Sequence, residues 1–543
     1  MSTEYVYVPP GLPAELGQLD LEEVCAHLQN YLGNFLLDPA VASVYLNRMA
    51  TAPDLESASP ATIRTLAYLS WKYAQFEPFE KNGLGIALNF REDAALAARL
   101  QFLRKMESNQ EQMEMADRLM ATGRDKEAER RLTQLLAAKP GMLPAADRLL
   151  RMDMYLGKGP GAWLRHVRPP APLLPAWNQR LFNAYAKAND VENALALWPR
   201  LDEKSLDETT LNLAAEVFNN SGERARAARL YARSLALDPA QVPVRLRLDE
   251  IASPFVPDHS LPGRKMVNIY LYTFNKADML GRTLASLAAC DIGPARIKVL
   301  LNGCTDHSRS VAEAARAKFP DNPFEIIELP VNIGAPAARN WLIAQPDTKT
   351  ADYTAFLDDD VDLQPDWLAH FLSVAEAAPR PGVVGCKVVF PGTPVRYQYL
   401  FRTISVAKPH LIRLSLVTPN VSYDNGLYNV VRSTASVMGC CHLLSREALA
   451  AVPSFDIRFS PSQMDDIAHD LDIRLAGFSI HYTGLVSCVH HQNSGVNFIS
   501  REDVAKQGNV LGNDLKFTFR FMDRLDQLRG LMNAPPDAAR SAA

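Results

Sequence analysis

The pattern of apolar and polar positions changes near residue 253 of this 543-residue chain. Up to about residue 250, apolar residues recur at spacings of three and four among Ala, Leu, Glu and Arg, which predicts a succession of amphipathic helices. After about residue 265, short runs rich in β-branched residues alternate with helical stretches. The sequence therefore predicts an all-α half followed by an α/β half.

The helical half contains an internal repeat. A turn residue recurs every 32 to 34 residues, at Gly123, Gly157, Asn189 and Gly222. Large residues and a small alanine stand at matching distances from three of these turns, and a proline closes two of the units. The residues are Leu119, Ala128, Leu132 and Pro140 around Gly123, Tyr185, Ala194 and Trp198 around Asn189, and Phe218, Ala227, Tyr231 and Pro239 around Gly222. The unit around Gly157 is degraded, with Asp153 at the first large position. This spacing resembles tetratricopeptide repeats, and it does not indicate what the repeats bind.

These changes of pattern predict the domain organisation. We expect a helical N-terminal region over 1–105, repeats over 106–252, a proline-containing linker over 253–265, an α/β domain over 266–500, and a C-terminal helix with a disordered tail over 501–543. In the last segment a helix is expected to pack on the body of the protein through Leu511, Leu515, Phe519, Met522 and Leu525.

Four short apolar runs dominate the α/β half. They are VNIYLYT (267–273), IKVLL (297–301), FEIIEL (324–329) and YTAFL (353–357), and a helical stretch follows each of them. Alternation of this kind predicts βαβ units and a parallel sheet, with ligands bound at the carboxyl ends of the strands. Polar residues follow three of the runs, at Asn275, at 302–306 and at 358–360.

The run Asp358-Asp359-Asp360 directly follows the fourth predicted strand. Adjacent carboxylates repel one another unless a cation balances them, and alternate residues of an extended segment share one side. Asp358 and Asp360 therefore suit Mg²⁺ or Mn²⁺, which take further ligands from phosphates. The alternative is an acidic loop in which Asp362 caps the next helix. The sequence has neither GxxxxGK[ST] nor GxGxxG, which argues against a P-loop and ordinary dinucleotide binding.

Composition narrows the class of protein further. The net charge of −4 argues against a general nucleic-acid binder. The sequence contains no uninterrupted run of about 18 apolar residues, so we do not expect a membrane-spanning helix. The beginning MSTEYVYVPP does not resemble a secretory signal. Seven cysteines without CxxC spacing fit reduced thiols better than disulfides or a zinc site. We therefore predict a cytoplasmic protein.

Six segments from about 266 to 495 resemble, in order, a family 2 glycosyltransferase with the GT-A fold. They are YTFNKADMLGRTLASL, NGCTDHS, VNIGAPAARN, FLDDDVDLQPDWL, FSPSQMDD and VHHQNSG. The resemblance implies transfer of a sugar from a nucleotide-diphosphate donor, usually a UDP-sugar, with inversion and with a divalent metal, Mn²⁺ or Mg²⁺. The acceptor it implies is a glycan or protein hydroxyl.

The resemblance also implies roles for particular residues. The implied metal ligands are Asp358, Asp360 and His490, with His491 as the alternative histidine. The implied donor-binding residues are Thr273, Phe274, Asn275, Asn302, Thr305, Asp306, Arg339, Asn340, Asp358 and Asp359. Alternatively, Phe274 is a core residue and Asp306 a helix cap. Leu301 stands where the family usually has an aspartate, which leaves the nucleobase open.

On the acceptor side, the resemblance implies that Asp466 is the general base, with Asp465 orienting or replacing it. The carboxylates and arginine that follow, Asp470, Asp472 and Arg474, are shifted from the family's spacing. The insertion-like segment between Val395 and Val437 carries Arg396, Arg402, Lys408 and Arg413. This segment is either a loop that favours an anionic or aromatic acceptor or a solvated basic face.

Together these features predict a metal-dependent inverting glycosyltransferase whose helical repeats present or select the acceptor, directly or through a protein partner. The alternative is a repeat scaffold with a GT-A domain that binds nucleotide without catalysis, which Leu301 and the shifted segment 470–474 favour.

Overall fold

The structure is a computed structural model that describes residues 12–106, 109–406, 414–417, 423–491 and 504–532. The chain divides into two compact units, one formed mainly by Met1–Ala252 and the other by Ser253–Gly392, Arg396–Pro419 and Tyr428–Ala543. Lys408, Arg413, residues 492–495 of the last matching segment and the predicted tail from residue 533 lie outside the described residues.

The first unit is helical throughout its described part before residue 252. Its α-helices are α1 Leu12–Leu16, α2 Leu21–Leu32, α3 Pro39–Ala50, α4 Pro60–Phe76, α5 Lys81–Phe90, α6 Ala94–Lys105, α7 Gln110–Ala121, α8 Asp125–Ala138, α9 Leu143–Tyr155, α10 Leu174–Lys187, α11 Val191–Leu197, α12 Glu208–Asn220, α13 Arg224–Leu237 and α14 Val242–Ala252. Acidic or hydroxyl side chains cap several of them, as Asp20 caps α2 and Asp207 caps α12.

The predicted repeat is visible in the backbone. The turn residues Gly123, Gly157, Asn189 and Gly222 all have positive φ, between 55° and 89°. Glycine, and to a lesser degree asparagine, tolerates this conformation. Three of the turns join α7 to α8, α10 to α11 and α12 to α13, whereas Gly157 is followed only by a short 3₁₀ helix, Ala162–His166. The prediction of a helical repeat region is therefore confirmed, including its degraded unit.

Helix α4 lies against the repeats through polar contacts. The ammonium of Lys72 contacts the carboxylates of Glu208 and Asp238, the latter at 2.8 Å, and the Tyr68 hydroxyl donates to Asp238 at 3.1 Å. Glu77, one residue beyond α4, accepts from Arg151 of α9 at 3.2 Å. The chain's own N-terminal helices therefore cover part of the surface of α9 and α12.

The second unit is built on a mixed sheet. Its strands are β1 Val267–Thr273, β2 Arg296–Asn302, β3 Phe324–Leu329, β4 Tyr353–Leu357, β5 Val361–Asp362, β6 Pro381–Val389, β7 Tyr397–Tyr399, β8 Thr403–Val406, β9 Leu414–Val417, β10 Val431–Ser433, β11 Cys441–Ser445 and β12 Ser479–His490. The strand order is β10-β12-β6-β11-β4-β1-β2-β3, with β5 paired to β12 and β7 to β6. Strands β8 and β9 form a separate antiparallel pair.

The helices of this unit are α15 Leu261–Arg264, α16 Ala277–Ala288, α17 Ser308–Ala315, α18 Ala335–Ile343, α19 Trp367–Ala377, α20 Arg446–Ala451, α21 Asp465–Leu475, α22 Val504–Arg520 and α23 Leu525–Met532. A core cluster joins the apolar faces of α16 and α19, including Leu284, Trp367 and Phe371, to the sheet.

The four predicted strands form one parallel block, because β1 pairs in parallel with both β2 and β4, and β2 pairs in parallel with β3. The apolar runs of β1, β2 and β4 follow from burial on both faces, which is typical of parallel sheets, whereas β3 lies at the sheet edge and exposes Glu325 and Glu328. The predicted α/β GT-A fold is confirmed. The antiparallel strand β11, inserted between β4 and β6, is an addition that periodicity did not predict.

The C-terminal helix packs on a different face from the one expected. Leu511, Leu515 and Phe519 are 61–63% exposed, whereas Phe517 and Phe521 are buried in a cluster with residues of α21. The prediction was wrong for Leu511, Leu515 and Phe519 because α22 carries apolar residues on two faces, and spacing alone does not select between them. Leu525 does pack against this cluster, and Met522 is half-buried. None of the described helices is both long and apolar enough to cross a membrane.

Candidate active site

A cluster of two carboxylates and an imidazole lies where β4 ends. Asp358 and Asp360 follow β4, and the pairing of β5 with the end of β12 sets His490 opposite Val361. Nε2 of His490 is 3.1 Å from Oδ1 of Asp360 and 3.9 Å from Oδ2 of Asp358. Ligand atoms of all three side chains lie within 4.8 Å of one another.

The cluster contains unsatisfied polar atoms that fit a divalent cation. Oδ1 of Asp360 and Nε2 of His490 are buried and face each other at 3.1 Å, and neither has another hydrogen-bond partner among the described residues. Nδ1 of His490 lies 2.7 Å from Oε1 of Gln398, and in the tautomer that carries its proton on Nδ1 this contact leaves Nε2 to coordinate a cation. Two carboxylates and a neutral imidazole are a suitable donor set for Mn²⁺ or Mg²⁺.

The electrostatics of the acidic run differ from one residue to the next. Burial raises the pKa of Asp360, but the adjacent His490 and Lys276 outweigh burial and lower this pKa to about 2. Burial raises the pKa of Asp359 to about 6 in spite of Lys276. The pKa of Asp358 is also raised, mainly by burial. Asp360 is thus the carboxylate of the run that the protein holds ionised most firmly.

Lys276 is a residue of this site that the sequence analysis did not identify. Its ammonium lies 2.9 Å from Asp360 and 3.2 Å from Asp359, so Asp359 faces Lys276 rather than the Asp358–His490 side. The only signal in the sequence is its position directly after Asn275, beyond the end of the first strand. His491, the alternative histidine, lies instead 2.8 Å from Asp362.

Arg339 of α18 joins the acidic run to the acidic pair. Its guanidinium is buried, donates to Asp465, lies 3.7 Å from Asp358 and donates to the Gly439 carbonyl at 3.4 Å. It also lies over the Tyr272 ring, 5.3 Å from its centroid. The predicted role of balancing the aspartates is consistent with these contacts.

Asp465 and Asp466 begin α21, where the helix dipole favours negative charge. Asp465 is buried and held by Arg339, whereas Asp466 is half-buried and accepts from the backbone N–H groups of Gly439 at 3.0 Å and Ile467 at 2.9 Å. Burial raises the pKa of Asp466, but Arg402, Arg339 and the Gly439 N–H outweigh burial and lower it. Asp466 is therefore ionised and less enclosed than its neighbour.

The loops after β1 and β2 are tied together by the residues predicted to bind the donor. Oδ1 of Asn275, at φ 52°, accepts from the backbone N–H groups of Thr305 at 2.7 Å and Asp306 at 3.3 Å. Asp306 accepts from Ala277 and Ser308 and so stabilises the starts of α16 and α17. This capping contact is the alternative foreseen for Asp306, and it leaves its contact with a donor a prediction.

The remaining predicted donor residues differ in exposure. Phe274 is 45% exposed, unlike a core residue, whereas Thr273 is buried. The Asn302 side chain bonds Asn332 and the Ile333 N–H, and the Asn340 side chain bonds the backbone of Phe455 in both directions. Asn302 and Asn340 therefore fix loops, whereas Phe274 presents an exposed ring.

The residues expected near the acceptor have different surroundings. Asp470 is buried and accepts from the Val437 N–H at 3.0 Å, and burial raises its pKa to about 8. Asp472 instead binds Arg520 of α22. Arg402 is buried over the Tyr399 ring and donates to the Val437 carbonyl. The expectation of a solvated basic face is therefore wrong for Arg402, because its stem and head group pack inside the domain.

Comparison with known proteins matches part of this unit, including Asp358 and Asp360, to one family. Residues 269–452 match the family described as glycosyl transferase family 2. The chain is 31% identical over 137 residues to the succinoglycan biosynthesis protein ExoM of Rhizobium meliloti (strain 1021), covering 24% of this chain and 40% of that protein. It is 27% identical over 160 residues to the O-antigen biosynthesis protein RfbC of Myxococcus xanthus, covering 29% and 12%. The chain thus spans less than half the length of either relative.

Solved structures give weaker similarities. The mannosyltransferase PcManGT from Pyrobaculum calidifontis, in complex with GDP-Man and Mn²⁺, is 18% identical with a TM-score of 0.36, over 57% of this chain and 81% of that one. GalNAc-T7 with UDP, GalNAc and Mn²⁺ is 11% identical with a TM-score of 0.34, over 42% and 44%.

The fold is a mixed α/β sheet with acidic residues at the end of β4. Residues 269–452 of this sheet unit match glycosyl transferase family 2, and a helical repeat region precedes them.

Proposed function

We propose that this protein is a metal-dependent inverting glycosyltransferase that moves a sugar from a nucleotide-diphosphate donor to an acceptor hydroxyl. The observation that carries the proposal is the convergence of Asp358, Asp360 and His490, in which a buried oxygen of Asp360 and a buried nitrogen of His490 face each other at 3.1 Å with no other hydrogen-bond partner among the described residues. Because both atoms are desolvated, the arrangement is costly unless a proton or a cation lies between them.

Asp358, Asp360 and His490 would hold the cation, which when bound would stabilise the negative charge that develops on the departing diphosphate. Lys276 balances Asp359 and Asp360 in the free protein, and its 42% exposed side chain is free to turn toward a phosphate. Arg339, by contrast, stays in its buried ion pairs and acts by orienting Asp358 and Asp465.

Asp466 is the base in this proposal. An inverting transfer needs a group that accepts the proton of the acceptor hydroxyl as the hydroxyl attacks the sugar. Asp466 has a lowered pKa, and each of its oxygens accepts one backbone N–H and retains a further lone pair. Asp465 is engaged by Arg339, which favours a role in orienting its neighbour.

The proposal also specifies the class of donor and the class of acceptor. A UDP-sugar is the first donor to test, with a GDP-sugar second, because Leu301 departs from the usual pattern. The relatives named for O-antigen and succinoglycan biosynthesis favour a glycan acceptor. If the repeats select the acceptor or a protein partner, they do so with surface that α4 and its neighbours leave free, because Lys72 and Glu77 already engage α12 and α9.

The test is nucleotide release from a panel of nucleotide-sugars with Mn²⁺, Mg²⁺ or EDTA. We expect metal-dependent release from one donor, and its loss in Asp360→Ala. Release from no donor in the presence of candidate glycans, together with metal-dependent nucleotide binding in calorimetry, would favour the alternative of a scaffold with a non-catalytic GT-A domain.

A further inference from the structure

A second group of metal-ligating side chains lies within the sheet of the same unit. The thiols of Cys386, Cys441 and Cys488 offer sulfur atoms that are all within 4.8 Å of one another. Each of the three residues is at most 1% exposed. None of the seven cysteines is in a disulfide. More than 40 residues separate each from the next along the chain, so the group does not form a recognisable sequence motif.

Strand pairing explains why the three thiols meet. His442 of β11 pairs with Gly385 of β6, so Cys441 and Cys386, one residue further along each antiparallel strand, face each other. Cys488 of β12 pairs with Val388, two residues from Cys386 and therefore on the same face of β6. A register shift between Thr483 and Ser487 sets this alignment. Three neighbouring strands thus contribute one thiol each to a single spot.

The surroundings exclude water from the thiols. Helix α19 packs on β6 and β12, and its Trp367 and Phe371 belong to the same core cluster as the cysteines. Cys440, also buried, belongs to this cluster as well. The three sulfur atoms therefore have one another as their nearest metal-ligating neighbours within an apolar core.

We propose that Cys386, Cys441 and Cys488 bind one Zn²⁺ ion, which fastens β6, β11 and β12 together behind the active site. Thiolate sulfur selects thiophilic cations over Mg²⁺ and Mn²⁺, and Zn–S bonds of about 2.3 Å need sulfur atoms roughly 3.8 Å apart, so a small contraction of the cluster suffices. On binding, each Cys S–H bond is replaced by an S–Zn bond and its proton is released to solvent, with no change in oxidation state.

The position of the ion gives it a structural role. Cys488 stands two residues before His490, and the Cys440 carbonyl accepts from the Asp358 N–H at 2.9 Å. Fastening the three strands fixes the backbone that carries these two implied ligands of the catalytic cation. The zinc site itself shares no side chain with that cluster and does not depend on the proposed transfer reaction.

The test measures metal and thiols in the full-length protein purified under reducing conditions in a zinc-containing medium. We expect one equivalent of zinc by elemental analysis that is retained in Asp360→Ala, which removes the carboxylate cluster, and in Cys290→Ala, which removes a thiol outside the group. Cys441→Ala should lose it. Exchange with Co²⁺ should give a sulfur-to-cobalt charge-transfer band in wild type and in Asp360→Ala, but not in Cys441→Ala.

Two results would overturn the proposal, and both are read in the wild type, so they do not depend on a variant folding. If the protein contains no zinc, gives no charge-transfer band with Co²⁺ and keeps all its thiols, the cluster is only core packing. If intact-mass analysis shows the loss of two hydrogens and peptide mapping joins Cys386 to Cys441, the pair forms a disulfide instead.

Discussion

The two units bury charged residues in different ways. In the helical unit, Glu216 is buried against Arg247 with contacts of 2.7 and 3.0 Å, and Asp147 contacts Arg180 at 2.7 Å and Arg151 at 2.9 Å. In the sheet unit, one buried oxygen of Asp360 has only Nε2 of His490 beside it, at 3.1 Å, among the described residues. Acids that are fully paired with arginine hold helices in register, whereas an acid that faces another metal-ligating atom can share a cation with it.

The strongest test of this comparison is Asp360→Ala. We expect a loss of about 10²–10³-fold in donor turnover, because the developing charge on the diphosphate loses its stabilisation. EDTA should have the same effect on the wild type. Asp362→Asn is the matched control within the same acidic run, since Asp362 forms an exposed ion pair with Arg282. Equal loss in both variants would mean that the run acts only through its total charge.

Asp466→Asn should reduce turnover by about 10²–10⁴-fold while donor affinity in calorimetry is kept, because the amide cannot accept the proton. The lowered pKa of Asp466 keeps the wild-type base ionised at neutral pH, so the rate should decline only as the pH falls below the ordinary range of an aspartate. Asp465→Asn is the comparison variant. If it abolishes turnover and Asp466→Asn does not, the two roles are exchanged.

Lys72→Met should destabilise the helical unit by about 3–5 kcal/mol, because Glu208 and Asp238 lose the buried ammonium that compensates them. The free energy of unfolding in urea, followed by circular dichroism, measures this effect. Arg124→Met serves as the control, since Arg124 forms a surface pair with Glu127, and we expect a change of only about 0–1 kcal/mol. Similar values for both would show that the buried pairing is not needed for stability.

Ala227→Leu should cost about 1–3 kcal/mol, because the added side chain enters the space between α12 and α13, where Ala227 is fully buried. Ala225→Leu, on the exposed side of α13, should change the free energy of unfolding by about 0.5 kcal/mol or less. Thermal unfolding of the pair measures the difference. Equal effects would contradict the repeat register inferred from the alanine spacing.

Prediction from the sequence succeeded for features that a few adjacent residues determine. The four apolar runs of the parallel block, the positive-φ turns of the repeats and the acidic residues at the end of β4 each follow from a few adjacent residues. It failed for α22, where the helix was expected but its buried face was not identified. It also missed Lys276, because a single lysine in a loop has no distinctive spacing.

The sequence by itself determined the alternation of helices and strands, the helical repeat and the carboxylates that follow the fourth strand of the parallel block. Only the tertiary structure decided which distant residues meet. His490 reaches Asp360 through the pairing of β12 with β5, Arg339 reaches Asp465 across 126 residues, and three cysteines converge through strand register. The physical reason is that local propensity acts over a few residues, whereas strand order and register, which the whole core fixes, bring these side chains together.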